Sequence, residues 1–299
     1  MHGWIILDKP LGLGSTQGVS AVKRVLRQGG YGKGIKVGHG GTLDPLATGV
    51  LPIAVGEATK LAGRMLDSDK VYDFTIRFGE QTSTLDAEGE VVATSDVRPT
   101  RDALEAVLPR FTGPIDQVPP AYSALKIDGE RAYDLARAGE EVVLASRAVT
   151  IHALTVQDGA ADGALEEITL TAHVSKGTYI RSLARDVALA LGTVGHVTML
   201  RRIKAGPFTL ASAISLDKLN EMGQARTLEQ ILLPLRAGLD DIPALALDPD
   251  QAGALRQGRV LAGIAVDDGQ YFAMLGDTPV ALVEALDAHV RVVRGFNLD

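Results

Sequence analysis

The densest chemical signal in the chain is the stretch Gly38-His39-Gly40-Gly41-Thr42-Leu43-Asp44-Pro45-Leu46-Ala47-Thr48-Gly49-Val50-Leu51-Pro52. Pro45 bars Asp44 from the right-handed helical region, so this carboxylate sits on extended or turning backbone, and the flanking glycines let a ligand come close. The pattern suggests a functional carboxylate; the same spacing also suits an Asx turn, in which Asp44 only holds neighbouring amides. His39 reads by itself as a loop hydrogen-bonder, and Tyr72 and Tyr179 as core aromatics. Arg181, near a helix start, opposes the helix dipole, which favours a specific carboxylate or phosphate partner. Other chemistries lack their residues. Gly12-Leu13-Gly14 with Gly18 has GxGxxxG spacing and no acidic residue at the end of a second strand, unlike a dinucleotide site, and Gly32-Lys33-Gly34 lacks the Ser or Thr of a P-loop. There is no GxSxG, the six histidines are scattered without HExxH or HxxxH, and there are no cysteines. Triad hydrolysis, zinc ribbons, iron–sulfur clusters and thiol nucleophiles are thereby excluded.

The elements that must carry these residues can be read from periodicity. Trp4 to Leu7 forms a short buried strand, followed by a turn at Gly12 to Gly14 and a helix capped by Ser15 or Thr16, with Val19, Val22, Val25 and Leu26 on its apolar face. Gly29 to Gly41 reads as a loop, and Val50 to Val55 as a buried strand. Tyr72, Phe74, Ile76 and Phe78 alternate with Asp73, Thr75 and Arg77, the signature of a half-buried strand. Thr100 to Leu108 is helical, Gly113 to Gly129 a Pro-containing excursion, and Arg131 to Ala138 a helix. A strand through Ile168, Leu170, Ala172 and Val174 runs into Ser175 to Tyr179 and then a helix bearing Leu183, Val187 and Leu191. The irregular order of strands and helices predicts an α+β fold with a mixed sheet. Gly238, Asp240 to Pro243 and Pro249 punctuate the chain before strands at Gln270 to Leu275, Val280 to Ala285 and Val290 to Phe296. Two domains are expected, 1–242 and a small β domain at 243–299.

With 46% hydrophobic and 22% charged residues, the 299-residue chain has ordinary globular composition. The apolar stretch at the N-terminus is closed by charges and too short for a secretory signal, and no window approaches a membrane span. With no cysteine, a cytoplasmic setting is expected. The net charge of −7 argues mildly against a polyanionic partner, but it conceals a segregation. Residues 1–60 carry seven cations (Lys9, Lys23, Arg24, Arg27, Lys33, Lys36 and Lys60) against three carboxylates, and residues 176–204 carry six (Lys176, Arg181, Arg185, Arg201, Arg202 and Lys204) against Asp186 alone. Brought together, the two segments would form one basic face.

Seven ordered blocks then carry a resemblance. They are Asp8-Lys9-Pro10 with Gly12 and Ser15; His39 to Pro52; Gly56-Glu57-Ala58-Thr59-Lys60; Asp67-Ser68-Asp69-Lys70 with Tyr72; Pro119-Pro120 with Tyr122 to Lys126; Ser175-Lys176-Gly177-Thr178-Tyr179-Ile180-Arg181; and Leu200-Arg201-Arg202. Over residues 3 to 206 the chain closely resembles the bacterial tRNA pseudouridine-55 synthases of the TruB type, with a weaker match beyond.

The resemblance implies a pseudouridine synthase core, a mixed and largely antiparallel sheet flanked by helices, with an RNA-clamping insertion at about 113–142, in which Pro119 to Val142 resembles the family's clamp, and a C-terminal PUA-like RNA-binding domain. It implies conversion of one T-loop uridine of tRNA to pseudouridine, by breaking the N1–C1′ bond and rejoining the ribose at C5. That isomerisation needs no redox cofactor and no metal, and the implied partner is the tRNA T-arm; independently, the lack of a long heptad or an extended apolar surface stripe in the sequence leads us to expect a monomer. Water activation would be harmful because the base must return, so one carboxylate in a closed pocket matches the task where glycoside hydrolysis uses two. By resemblance Asp44 is that carboxylate, as nucleophile at C1′ or as base at the 2′ position. Arg181 would pair with Asp44 and hold it ionised. Tyr72 would stack on the uracil and assist at C5, and Tyr179 would pack at the base pocket. His39 would fill the gap left by the flipped base. Lys9 and Lys60 would lie near the site or the RNA backbone, with Lys176, Leu200 and Arg202 among the substrate-facing residues. Gly40 replaces a threonine and Gly14 a serine common in the family, so both loops are expected to be more flexible. The alternatives are a non-catalytic tRNA-binding or folding protein, or a related synthase with a different uridine target.

Overall fold

Two sheets share one seam, built on the first strand of the chain. The computed structural model describes residues 1–32, 34–123, 125–127, 130–139, 142, 144–157 and 163–298. Lys33 of the first basic segment, and Ala124, Asp128, Gly129, Glu140 and Glu141 of the expected insertion, lie outside the described residues. In chain order the strands are β1 (Gly3–Lys9), β2 (Val37–His39), β3 (Ala47–Val55), β4 (Lys70–Phe78), β5 (Glu80–Thr82), β6 (Val91–Thr94), β7 (Gly113–Gln117), β8 (Lys126–Ile127), β9 (Glu130–Arg131), β10 (Arg147–Val156), β11 (Glu167–Val174), β12 (Gly195–Ala205), β13 (Phe208–Thr209), β14 (Ala244–Ala246), β15 (Leu261–Ala262), β16 (Gly269–Leu275), β17 (Thr278–Leu286) and β18 (His289–Gly295). The α-helices are α1 (Ser15–Gln28), α2 (Ala62–Asp67), α3 (Arg101–Val107), α4 (Ala132–Arg137), α5 (Ile180–Ala190), α6 (Leu216–Ala225) and α7 (Pro249–Arg256).

The main sheet runs β1-β3-β12-β4-β11-β10-β7, with β2 on β3 and β13 on β12, and every pairing is antiparallel except β12 with β3. This is the mixed, largely antiparallel α+β architecture the sequence implies. The alternation from Tyr72 to Phe78 places Phe74, Ile76 and Phe78 against Leu183 and Val187 of α5 in one core. On the same face of the sheet α1 lays Val22, Val25 and Leu26 onto Ile5, Leu7, Leu51 and Ile53, and Tyr72 and Leu200 pack against both clusters. The continuous apolar run of β1 has its reason in burial on both faces: Ile5 and Leu7 meet α1, while Trp4 and Ile6 join Phe272, Met274, Leu282 and Phe296 of the C-terminal sheet. That second sheet, ordered β14-β16-β17-β18-β15, is the expected C-terminal β-rich unit. The sequence reading missed its helix α7, which Asp248 caps through Gln251 N.

Two local expectations are corrected. Neither Ser15 nor Thr16 caps α1: the N-cap is Gly14, whose N–H donates to Gln17 Oε1 at 2.8 Å. The excursion expected from Gly113 begins later, because Gly113–Gln117 is the outer strand β7, paired with β10. A proline at its second position is tolerated on an edge. The loop expected over Gly29 to Gly41 also contains the short strand β2.

Helices α1 and α6 touch at a glycine. A Cβ at Gly223 would lie 2.0 Å from Val25 Cγ1, so nothing larger fits without separating the helices. Gly223→Ala is expected to destabilise the protein by about 1–3 kcal/mol through overpacking, read as a lower midpoint in urea at unchanged slope.

Candidate active site

Asp44 lies in the loop joining β2 to β3, and that loop is fastened from three directions. Ser15, instead of capping its helix, accepts from Leu43 N at 2.7 Å and donates to Leu43 O at 3.0 Å. Lys9 donates its ammonium to the carbonyls of Pro10 (3.1 Å), Leu13 (2.5 Å) and Pro45 (3.2 Å). Arg202 donates to Val50 O at 2.8 Å, Gly41 O at 3.1 Å and Thr42 O at 3.3 Å. The loop is thus held by its backbone, leaving the Asp44 carboxylate free to face a partner.

That partner is Arg181. Its Nη2 lies 3.0 Å from Asp44 Oδ2, and its guanidinium also donates to Thr84 O at 2.9 Å and Tyr122 O at 3.1 Å. A second carboxylate, Asp86 Oδ2, stands 3.7 Å from Nη1. Asp86 is buried and anchored by Thr84 Oγ1 at 2.5 Å and by Glu88 N at 3.0 Å. Arg181 is therefore clamped between a buried carboxylate and a half-exposed one: the side chains of Arg181 and Asp86 are each 7% exposed, that of Asp44 39%. Only the Asp44 end meets solvent. Sequence reasoning missed Asp86, whose sole local signal is a short Thr84-Leu85-Asp86 turn with Leu85 at φ 63°.

Asp44, Asp86 and Arg181 line one depression together with Leu46, Val197, Met199 and Leu200. Its volume is about 10 Å³, room for one water, and the Asp44 carboxylate stands at its solvent edge. Leu200 reaches this wall because β12 pairs it with Ala47. Tyr72, half-buried on β4 and opposite Arg202 in the register, packs against the same cluster as Leu200. Tyr179 is the N-cap residue of α5, two residues before Arg181; the Arg147 guanidinium sits 5.8 Å above its ring, and burial pushes its phenol up. His39 closes β2 with Nδ1 buried and without a hydrogen-bond partner, and burial, aided by the Arg202 charge, lowers its imidazole pKa.

Of the four further cations expected near the site or facing the substrate, two are interior and two lie nearer the surface. Arg202 is 1% exposed and Lys9 0%, so neither reaches an RNA backbone; both brace the Asp44 loop. Lys60 ion-pairs with Glu57 at 2.6 Å and donates to Gly295 O at 2.8 Å, tying the core to the C-terminal sheet. Lys176 is exposed but paired with Asp67 at 2.9 Å. In the second basic segment Arg181 and Arg202 are buried, Arg201 forks onto Asp8 at 2.9 and 3.0 Å, and Lys176 and Lys204 are exposed. Lys23, Arg24, Arg27 and Lys36 of the first segment remain exposed, and Lys23, Arg27 and Lys36 line a broad cleft beside α1. The glycines also read differently in place: a Cβ at Gly40 would sit 2.5 Å from Met65 Cβ, so Met65 occupies the space of the missing side chain.

Lys9 supplies a pH test. Burial lowers its pKa from 10.5 to about 8, against the pull of the Asp44 carboxylate. Between those values the unfolded chain binds the extra proton, so this residue makes stability rise with pH across that window. The melting temperature of the wild type is expected to gain on that of Lys9→Met as pH goes from 8 to 10; parallel curves would refute the assignment.

The fold is that of pseudouridine synthases. An H/ACA RNP bound to a substrate RNA containing 2'-deoxyuridine superposes with a TM-score of 0.74 at 24% identity, covering 99% of this chain and 85% of that one. A Cbf5-Nop10-Gar1 complex gives a TM-score of 0.71 at 26% identity, covering 95% and 78%. Residues 23–180 match the family described as TruB family pseudouridylate synthase (N terminal domain), and residues 181–240 match the tRNA pseudouridylate synthase B C-terminal domain. The tRNA pseudouridine synthase B of Novosphingobium aromaticivorans is 70% identical over 299 residues, covering 100% of this chain and 98% of the relative. That of Zymomonas mobilis is 62% identical, covering 99% and 96%. The chain belongs to the TruB family of pseudouridylate synthases, and is an isomerase.

Proposed function

We propose that this enzyme isomerises uridine 55 in the T-loop of tRNA, with Asp44 as its catalytic carboxylate. The observation that carries the reading is the Asp44–Arg181 pair at the wall of a narrow depression. Arg181 orients the Asp44 carboxylate next to the ribose, and Asp86 from behind keeps Arg181 in place. Asp44 acts on the sugar, by attack at C1′ or by taking the 2′ proton; both routes free the uracil to turn and rejoin through C5. A narrow site that the seated nucleotide itself closes to water suits a reaction whose released base must be recaptured. Tyr72 stacks on the uracil and Tyr179 walls the pocket. The uridine must be flipped to enter, at a cost of about a few kcal/mol, and His39, with an unpartnered ring nitrogen, takes the vacated place. The Pro119 to Val142 segment clamps the T-arm, and the exposed Lys23, Arg24, Arg27 and Lys36 face its phosphates. The C-terminal sheet, with exposed Arg256, Arg259 and Arg294, is a PUA-like RNA-binding module. The enzyme works as a cytoplasmic monomer. Among the described residues no helix is long and apolar enough to cross a membrane.

The test is tritium release from a tRNA transcript labelled at uridine C5, with no added metal or cofactor. Release confined to one T-loop uridine is expected. Tight binding of the transcript without release would leave a tRNA-binding protein, and release from another loop would move the target.

A further inference from the structure

Two histidines and an aspartate distant in sequence converge on the face of the main sheet. His173 lies on β11, opposite Ala153 of β10. On β10 the register slips between Ile151 and Ala153, so His152 is the extra residue of a β-bulge. A bulge re-aims its side chain, and here it turns His152 toward His173: their rings are 4.7 Å apart and tilted by 51°. Asp69 immediately precedes β4, its backbone fixed by the Gly206 N–H at 3.0 Å. One carboxylate oxygen, Oδ2, serves both rings, 3.1 Å from His152 Nε2 and 3.7 Å from His173 Nε2.

We propose that Asp69, His152 and His173 form a binding site for a divalent transition-metal ion of the zinc class. The three donor atoms lie within 4.8 Å of one another, and among the described residues they are the one such group of histidine and carboxylate ligands. Tetrahedral zinc with bonds of about 2.0–2.2 Å spaces its donors about 3.4 Å apart. The two Asp–His distances already bracket that value, and the side chains, between 37% and 49% exposed, can turn to close the third edge. Two imidazoles and one carboxylate form a donor set suited to Zn²⁺ and unsuited to Mg²⁺, which prefers oxygen ligands. The open side of the cluster leaves the fourth position to water. Without a cysteine in the chain, no thiolate competes for the ion. The strands so joined lead toward the candidate active site: His173 pairs with Val71, next to Tyr72, and precedes the Lys176 to Arg181 segment.

The experiment is calorimetric titration of the full-length protein with ZnCl₂ at pH 7.5, above the ordinary imidazole pKa of about 6.5, with MgCl₂ as a parallel titrant. One Zn²⁺ per chain is expected. His152→Ala, His173→Ala and Asp69→Asn should each weaken binding by more than about tenfold, the lower bound for losing even a group one layer beyond the ligands. Circular dichroism confirms that each variant is folded. Independently of any variant, Co²⁺ added to the wild type should show visible absorption bands of imidazole coordination. Three results would overturn the site: no stoichiometric Zn²⁺ uptake, uptake undiminished in the double histidine variant, or Mg²⁺ binding as well as Zn²⁺.

Discussion

Replacing Asp44 by asparagine is expected to leave tRNA binding intact and to cut C5 tritium release by about 10⁴-fold or more, the scale on which removing a catalytic nucleophile or its base acts. The substitution keeps the size of the side chain, and the loop is held by Ser15, Lys9 and Arg202 through backbone groups, so its course should not change. Arg181 keeps Asp86, Thr84 O and Tyr122 O as partners. The loss should therefore fall on kcat, with the dissociation constant for tRNA and the melting temperature close to those of the wild type. A variant retaining more than about a hundredth of the activity would place the chemistry elsewhere, because general acid–base assistance alone is worth about 10²–10⁴-fold.

The second large effect is expected at Arg202, a residue almost wholly buried. Its guanidinium is buried and serves three carbonyls, two of them on the loop that bears Asp44. Arg202→Met fills much the same volume and leaves those carbonyls without a donor. Charge-assisted hydrogen bonds contribute about 1.5–3 kcal/mol each, but removing the guanidinium also relieves the cost of burying its charge. The net loss is set at about 3 kcal/mol, or about 6–12 °C in melting temperature for a chain of this size. Activity should fall as well, since Gly41 and Thr42 fix the approach to Asp44. Arg202→Lys should not rescue either property, because one ammonium cannot span the positions that the planar fork reaches. A melting temperature within a degree or two of the wild type would show that the loop holds itself.

These two residues mark what the sequence discloses and what it hides. Asp44 is legible because its signal is local: a proline after it and glycines around it constrain the backbone wherever the chain folds. Strand β4 is legible because its alternation matches its burial, and β1 because a strand covered on both faces must be apolar throughout. Arg202 is not legible, since its partners are backbone carbonyls about 150 to 160 positions away, and carbonyls leave no trace in residue type. Lys9 is hidden for the same reason: the resemblance implies a place near the site or the RNA backbone, but its work as an interior brace rests on carbonyls. Asp86 sits in a turn of unremarkable composition, and its importance lies in its distance to Arg181. Strand β7 is masked by Gly113 and Pro114, which deny a central strand but permit an edge. The Asp69, His152 and His173 cluster could not be seen at all, because a bulge, set by pairing, aims one of its members.

The place of β12 has a consequence in time. In the sheet β3 and β4 are separated by β12, which is built from residues 195–205. As the chain leaves the ribosome, β3 and β4 emerge early, each with an unpaired edge, and neither edge is covered until Gly195 to Ala205 has followed. Exposed apolar edges of this kind are what chaperones recognise and what aggregation exploits. The same late strand brings Leu200 to the wall of the depression, and α5, made just before it, brings Arg181 to Asp44. A chain stopped in mid-synthesis therefore holds the carboxylate without its arginine, and the site comes into being only as the sheet is sealed.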